Sequence, residues 1–289
     1  LVTRMLAINE ERLGENDPGM VDLLTDLAWL YQKQRDYSKA ETLYRHALTI
    51  LETAYGPSSI NVTSILLELA GLHQEQRNFS KEEFFYRQAL AIRERVNGPD
   101  HPSVMALLLP LAEVSIDQGN YVQAESLYRR VLAAKEERFG PNHLAVAEVL
   151  MKLAALYTFR GNDVQAEALS RRALTIRMDV LGPNHPEVAE TMVFMAKVYV
   201  SNDQPTKARA LYEQALAIQE QALGGDHASV ADTLILMAEL YGSLRQDEQI
   251  APLYERALAI KEQALGPQHP EVANVLILMA RHLSQRQPD

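Results

Sequence analysis

Apolar residues along this chain recur at helical spacing, and the arrangement they build then recurs as a whole. The strings LTDLAWLY from Leu24, LLELAGLH from Leu66, LLPLAEVS from Leu108, LMKLAALY from Leu150, MVFMAKVY from Met192, LILMAELY from Leu234 and LILMARHL from Leu276 place large apolar side chains three and four residues apart. That is the spacing of one face of an α-helix, not of a strand. A second helical pattern follows each of the first six: LYRHAL from Leu43, FYRQAL from Phe85, LYRRVL from Leu127, LSRRAL from Leu169, LYEQAL from Leu211 and LYERAL from Leu253. Both series advance by 42 residues per step, so the chain is a repeat array of helix pairs, which we call helix A and helix B.

Punctuation falls on the same period. Gly14, Gly56, Gly98, Gly140, Gly182, Gly224 and Gly266 close the B pattern, five of them followed by proline, and are expected to act as left-handed helix stops. Pro102, Pro186 and Pro270 suit the first turn of the next helix A. Asp36, Asn78 and Asn120 stand in the short A-to-B turn, while Ser38 with Glu41 and Ser80 with Glu83 match a capping box opening helix B. Pro205 is read as the first residue of a helix B. Alanine occupies one register of every helix A, from Ala28 to Ala280, where a small side chain lets another helix approach. Glu82 breaks a corresponding run of small residues (Ala40, Ala124, Ala166, Ala208), so that hairpin is expected either to loosen or to send the side chain to solvent.

The motifs L-x-x-L-A-x-x-Y, A-E-x-L-Y-x-x-A-L and L-G-P-x-H-P, carried over the whole length, resemble tetratricopeptide repeats, specifically the 42-residue variety of kinesin light chains. The resemblance implies an all-α, right-handed α-solenoid of antiparallel helix–turn–helix repeats. The array reads as one domain: a half repeat at 1–16, six full repeats over 17–268 and a final helix A at 269–289. Aligning Leu1 with Leu43 starts the sequence partway through a helix B, so a fragment is expected. Where the usual repeat closes helix B with proline, Glu52, Glu94, Glu136, Glu220 and Glu262 stand instead, and helix B is expected to run about one turn further.

In the resembling family the inner face of the A helices is the usual ligand groove. At about 100° per residue, Leu24, Leu27, Ala28 and Tyr31 share one side of the helix; Asp22, Thr25, Asp26, Trp29 and Lys33 share the other. Down the array the Thr25 register becomes Leu67, Leu109, Met151, Val193, Ile235 and Ile277, an apolar ladder, and the next includes Lys152, Phe194 and Leu236. Kinesin light chains typically carry paired asparagines there that clamp a peptide backbone. None of the fourteen positions is asparagine here, so that mode is not carried over. Glu113, Glu239 and further carboxylates outnumber Lys33 and Lys197 on this face, which fits an apolar or amphipathic peptide or helix with basic flanks. The ladder has a second reading, as packing between neighbouring A helices. Trp29, the only tryptophan, is either a ligand anchor or a cover over the first hairpin.

Composition removes most other classes. A formal charge of −10 with no basic run argues against nucleic acid. No apolar stretch approaches the roughly 18 residues of a membrane span. The chain has no cysteine, hence no disulfide or thiolate site, which suits a reducing, cytoplasmic setting. His101, His143, His185, His227 and His269 occur one per repeat, which suits helix starts better than a metal centre. No nucleophile elbow, zinc-binding motif or phosphate loop is present, so neither catalysis nor a cofactor is expected. The reading is a protein-interaction scaffold, with the sensor or oligomerisation arm of a larger signalling protein as the alternative. The final helix A bears Val275, Ile277, Leu278 and Met279 with no helix B after it; they read either as a surface that joins a second copy or a following domain, or as packing on the sixth repeat that ends the core.

Overall fold

The computed structural model describes residues 2–284, and every regular element among them is helical. The α-helices are α1 (Val2–Leu13), α2 (Val21–Lys33), α3 (Tyr37–Tyr55), α4 (Val62–Glu75), α5 (Phe79–Asn97), α6 (Pro102–Asp117), α7 (Tyr121–Phe139), α8 (Leu144–Phe159), α9 (Asp163–Leu181), α10 (Pro186–Ser201), α11 (Pro205–Leu223), α12 (Ala228–Ser243), α13 (Ile250–Leu265) and α14 (Pro270–Ser284). Two compact units divide within α7, one up to Ala134 and one from Lys135 onward. In the first, α2 packs on α3, α4 on α5, and each pair on the helix that follows. In the second, α8 with α9, α10 with α11 and α12 with α13 do the same, and α14 closes on α13.

Small and large side chains interlock as the 42-residue registers require. Ala28, Ala70 and Ala112 in the first unit and Ala154, Ala196 and Ala238 in the second are fully buried, as are the facing alanines from Ala40 and Ala47 onward. Tyr44, Tyr212 and Tyr254 fill the space these leave. Each large buried side chain contributes about 1.5–3 kcal/mol of apolar transfer.

The A-to-B turns are Schellman motifs, and here the structure departs from the capping-box reading. Asp36 N–H donates to the Tyr31 carbonyl and Arg35 N–H to that of Gln32, both at 2.9 Å. The same pair recurs at Asn78/His73, Asn120/Ser115, Asn162/Tyr157, Gln204/Tyr199 and Gln246/Tyr241. Helix B opens at the next residue, with its N-cap two residues before the serine of the expected box. Its cap is the Asp36 or Asn78 side chain, which accepts from Lys39 N–H (3.4 Å) or Lys81 N–H (3.3 Å). Ser38 and Ser80 are already helical, and Glu41 and Glu83 reach forward to Arg45 and Arg87 instead. Pro205 does begin its helix B.

Helix B ends at the periodic glycine, but not in the left-handed helical region. Gly56, Gly98, Gly182, Gly224 and Gly266 have φ between 86° and 92° with ψ between 150° and 158°. That combination is open to glycine alone. Each histidine of the next helix start caps it: Nδ1 of His101, His143, His185, His227 and His269 accepts the backbone N–H two residues on, at 3.1–3.2 Å. The one-per-repeat histidines are therefore caps, and among the described residues no cluster could hold a metal ion.

The glutamates that replace the family's proline do more than prolong helix B to 19 residues. Glu94 pairs with Arg130, Glu136 with Arg172 and Glu220 with Arg256, each at 2.6 Å. The same arginines donate to the carbonyls of Pro99, Pro141 and Gly225 in the loop after that glutamate. Each arginine thus ties its own helix B to the end of the preceding one. Met178 stands in the glutamate register and Gln214 in the matching arginine register, so the pair is absent there; at Glu52 the glutamate stays although its arginine register holds Gln88. With both partners of Glu136–Arg172 about a third exposed, a double-mutant cycle of Glu136→Met and Arg172→Gln should give a coupling of about 0.5–1 kcal/mol. Additive losses in urea unfolding would show that the pair is incidental.

Candidate functional site

The exposed A-helix face of the first unit is carried by α2, α4 and α6. Trp29 stands on it with 49 % of its surface exposed, and Lys33 Nζ lies 5.6 Å from the ring centroid. At the Trp29 register of α4 the residue is Gly71, around which a Cβ would meet no atom within 4 Å. That register of α4 therefore carries no side chain and faces open space. Leu67 and Leu109 are half-buried, and Leu67 packs on the first unit's core. Trp29 is thus open to solvent over about half of its surface, while Leu67 and Leu109 are partly buried.

Polar groups in this unit form a relay from core to surface. The buried Tyr44 hydroxyl donates to Gln32 Oε1 (3.2 Å), and Gln32 Nε2 donates to Glu75 Oε1 (2.8 Å), which Lys33 approaches to 3.7 Å. Burial, then the neighbouring Glu68, pushes the Tyr44 phenol above its ordinary range. His73 is fully buried, stacked on Phe85 at 5.6 Å, with Glu41 Oε1 3.7 Å from its Nε2. Burial holds it in the neutral form, against the pull of Glu41.

Glu82 does not escape to solvent: it is 1 % exposed, and its Oε2 has no hydrogen-bond partner among the described residues. Burial first, then the charges of Asp117 and Glu113 on α6, raise its pKa to about 7.

In the second unit α8, α10, α12 and α14 carry the corresponding face. Met151, Val193, Phe194, Ile235, Leu236 and Leu278 are half-buried, while Lys152, Lys197 and Glu239 are exposed. Val193 and Ile235 pack partly on the core, so here too the ladder serves both the fold and the surface. Some of the acidic edge is already engaged. Lys261, 6 % exposed, lies 2.7 Å from both Asp232 and Glu271, and Lys135 lies 3.2 Å from Glu148. Burial opposes the charge on Lys261, but its two carboxylate hydrogen bonds outweigh this and raise its pKa. Between Lys261, Ile235, Asn274, Val275 and Leu278 lies a shallow cavity of about 160 Å³.

Phe159, in the Lys33 register at the end of α8, was not singled out from the sequence yet is 68 % exposed. Its signal was an aromatic ring in a register otherwise filled by Glu75, Asp117, Ser201 and Ser243. On α14, Val275 is only 2 % exposed and Leu278 and Met279 are half-buried; the open apolar residues are Leu276 and Ile277.

The tetratricopeptide repeat profile matches residues 2–53, 61–136, 103–179, 146–221 and 187–263. This chain belongs to the tetratricopeptide repeat family. No curated protein matches it. Among solved structures, BtubC (BKLC) from P. vanneervenii is 26 % identical, with 77 % of this chain and 87 % of that one covered and a TM-score of 0.59. A kinesin light chain with nearly identical TPR-like repeats from Podosopora anserina is 25 % identical over 72 % of this chain and 98 % of that one, with a TM-score of 0.60. A signal transduction ATPase with a tetratricopeptide repeat sensor from Pyrococcus horikoshii shares the fold at 16 % identity and a TM-score of 0.67, over 93 % of this chain and 41 % of that one. The tetratricopeptide repeats make this chain a protein–protein interaction scaffold of the α-solenoid class, kinesin light chain-like in its neighbours. No helix among the described residues is long and apolar enough to cross a membrane.

Proposed function

We propose that the A-helix face binds a peptide or partner helix that is apolar along one side and flanked by Lys or Arg, and that the chain performs no chemistry of its own. The observation that supports this most directly is the exposed Trp29 ring on a face where Asp22, Asp26, Glu68 and Asp117 are also exposed. An exposed tryptophan can bury its ring against an incoming apolar side chain, and rings of this kind dominate many interfaces. Carboxylates around it favour basic residues at the rim and speed their approach. In the second unit Phe194 and Leu236 supply the apolar half and Glu190 and Glu239 the acidic half of the same chemistry.

Because Trp29 is the only tryptophan, its own fluorescence reports occupancy. Titration with an amphipathic Leu/Lys peptide is expected to shift the emission to the blue and to weaken as salt is raised. Trp29→Ala, followed by anisotropy of a labelled peptide, should lose about 30-fold in affinity, the scale of a central aromatic anchor. The folded triple variant Leu109→Asp, Met151→Asp, Val193→Asp should weaken binding further. Unmoved emission, together with unchanged peptide affinity in the triple variant, would remove the reading.

A further inference from the structure

Behind two exposed carboxylates of the first unit lies a hidden one. α6 carries two acidic residues, Glu113 and Asp117, which stand one turn apart and are both exposed. The first turn of α5 is docked beside them, for Gln118 Nε2 at the end of α6 donates to the Phe79 carbonyl at 3.0 Å. Glu82 closes that first turn. It is buried, its Oε2 has no hydrogen-bond partner among the described residues, and the charges acting on it are those of Asp117 and Glu113. Exposed carboxylates on a helix are ordinary surface; a buried, unpaired carboxyl oxygen behind them is not, because burial without a partner is costly. In no other repeat are these three registers all acidic: they read Ala40, Gly71 and Glu75 in one and Ala208, Glu239 and Ser243 in another.

The neighbouring titratable groups are engaged elsewhere. On α4, Glu68 accepts from the Tyr44 hydroxyl, His73 is held neutral beside Glu41, and Glu75 is taken by Gln32 and Lys33. On α5 itself, Lys81 reaches back to Glu41 on α3, Glu83 binds Arg87 and Gln123 of α7, and the Tyr86 phenol stays protonated. None of these brings a positive charge to Glu82. Among the described residues no group of carboxylates and histidines could hold a metal ion, so the cation that fits is one on a flexible arm. The last turn of α6 adds the partial negative charge of its free carbonyls. We propose that Asp117 and Glu82 form the subsite for a lysine or arginine side chain of the bound peptide, and that seating this side chain displaces the proton of Glu82 to solvent. This subsite presupposes the peptide-binding face proposed above and gives the peptide's basic flank a fixed position on it. Free Glu82 holds its proton up to about pH 7. With a cation alongside it ionises at lower pH. Between those two values binding releases a proton, so affinity rises with pH and levels off above about pH 7.

Anisotropy of a labelled Leu/Lys peptide, whose lysines stay charged throughout, should show binding about tenfold tighter at pH 8 than at about pH 6. Glu82→Gln cannot ionise, and at both pH values it should bind as weakly as the native chain does at the lower one. Asp117→Asn, at an exposed position, should weaken binding at pH 8. It should also move the midpoint of the rise to lower pH, since the first-named charge that raises Glu82 is gone. Calorimetry near pH 7 in buffers of different ionisation enthalpy should detect part of a proton released by the native chain on binding and none by Glu82→Gln. Native binding that is equal at the two pH values, or a rise that persists in Glu82→Gln, overturns the subsite and leaves the peptide-binding face standing. A chain that binds the peptide at neither pH overturns both.

Discussion

Glu82→Ala is expected to stabilise the protein by about 3 kcal/mol at pH 8 and by less than about 1 kcal/mol at pH 5. The cause is a carboxyl group folded into a register that takes alanine at Ala40, Ala124, Ala166 and Ala208, 1 % exposed and without a partner for Oε2. Its pKa rises from an ordinary 4.5 to about 7 in the folded chain, through burial first and through Asp117 and Glu113 on α6 second; Tyr86 on its own helix shares the same field. Between those two values the folded state keeps a proton that the unfolded chain releases, so stability falls as pH rises, and the loss is complete above about pH 7. Removing the group removes that slope. Glu82→Gln keeps the volume and should recover most of the gain at pH 8, which separates charge from packing. His73 pulls the other way: burial depresses its pKa, so protonation in acid costs stability as pH falls below its unfolded value of 6.5. His73 is common to native chain and variant, so their difference isolates Glu82. Urea unfolding at the two pH values decides it; equal differences at pH 5 and pH 8 would mean that Glu82 is not the source.

Much of the architecture was legible because each repeat restates it. Seven alanines and seven glycines on one ruler leave little freedom in where helices begin, stop and touch, and the helix spans follow that ruler closely. What the period concealed was geometry carried by dissimilar residues. The positive-φ position of the A-to-B turn is Arg35, Arg77, Gly119, Gly161, Asp203 and Arg245, and with only two glycines among six it has no compositional signature. The capping-box reading failed for a related reason: Ser38 and Asp36 are both plausible caps, and only the Schellman bond from Asp36 N–H to Tyr31 decides between them.

The candidate surface was legible in position but not in exposure. Angular spacing sets Trp29 opposite the packing positions of its own helix, and the ring is 49 % exposed, since that depends on one helix alone. How deeply Leu67 or Val193 sinks depends on how closely the next hairpin approaches, which no single helix pattern encodes. The same holds for charge. Asp232 and Glu148 looked like an acidic rim available to ligands, yet Lys261 and Lys135 reach them from helices 10–30 residues away in sequence.

The second large effect lies in the loops that join one hairpin to the next. Gly182→Ala should destabilise the protein by about 2–3 kcal/mol, whereas Gly161→Ala should cost about 1 kcal/mol or less. Both glycines have positive φ, 87° and 71°, and around both an added Cβ would meet no atom within 4 Å, so steric clash with neighbours is absent from the comparison. The difference is in the backbone well. Gly161 occupies the turn position that Arg35, Arg77 and Arg245 hold elsewhere with φ between 54° and 61°, which shows that an L-residue is accepted there. Gly182 pairs its φ with a ψ of 155°, where a β-carbon strains the backbone itself. Its N–H also donates to the Met178 carbonyl at 3.0 Å, and His185 N–H returns to its own carbonyl at 3.3 Å, so relaxing the strain would loosen the stop of α9 and the start of α10 together. Equal losses for the two variants in urea unfolding would show that the loop tolerates a side chain and that the fixed period of glycine has another cause. A selective loss at Gly182 places the control of hairpin succession, and with it the alignment of successive A-helix faces, in a backbone conformation that glycine alone supplies.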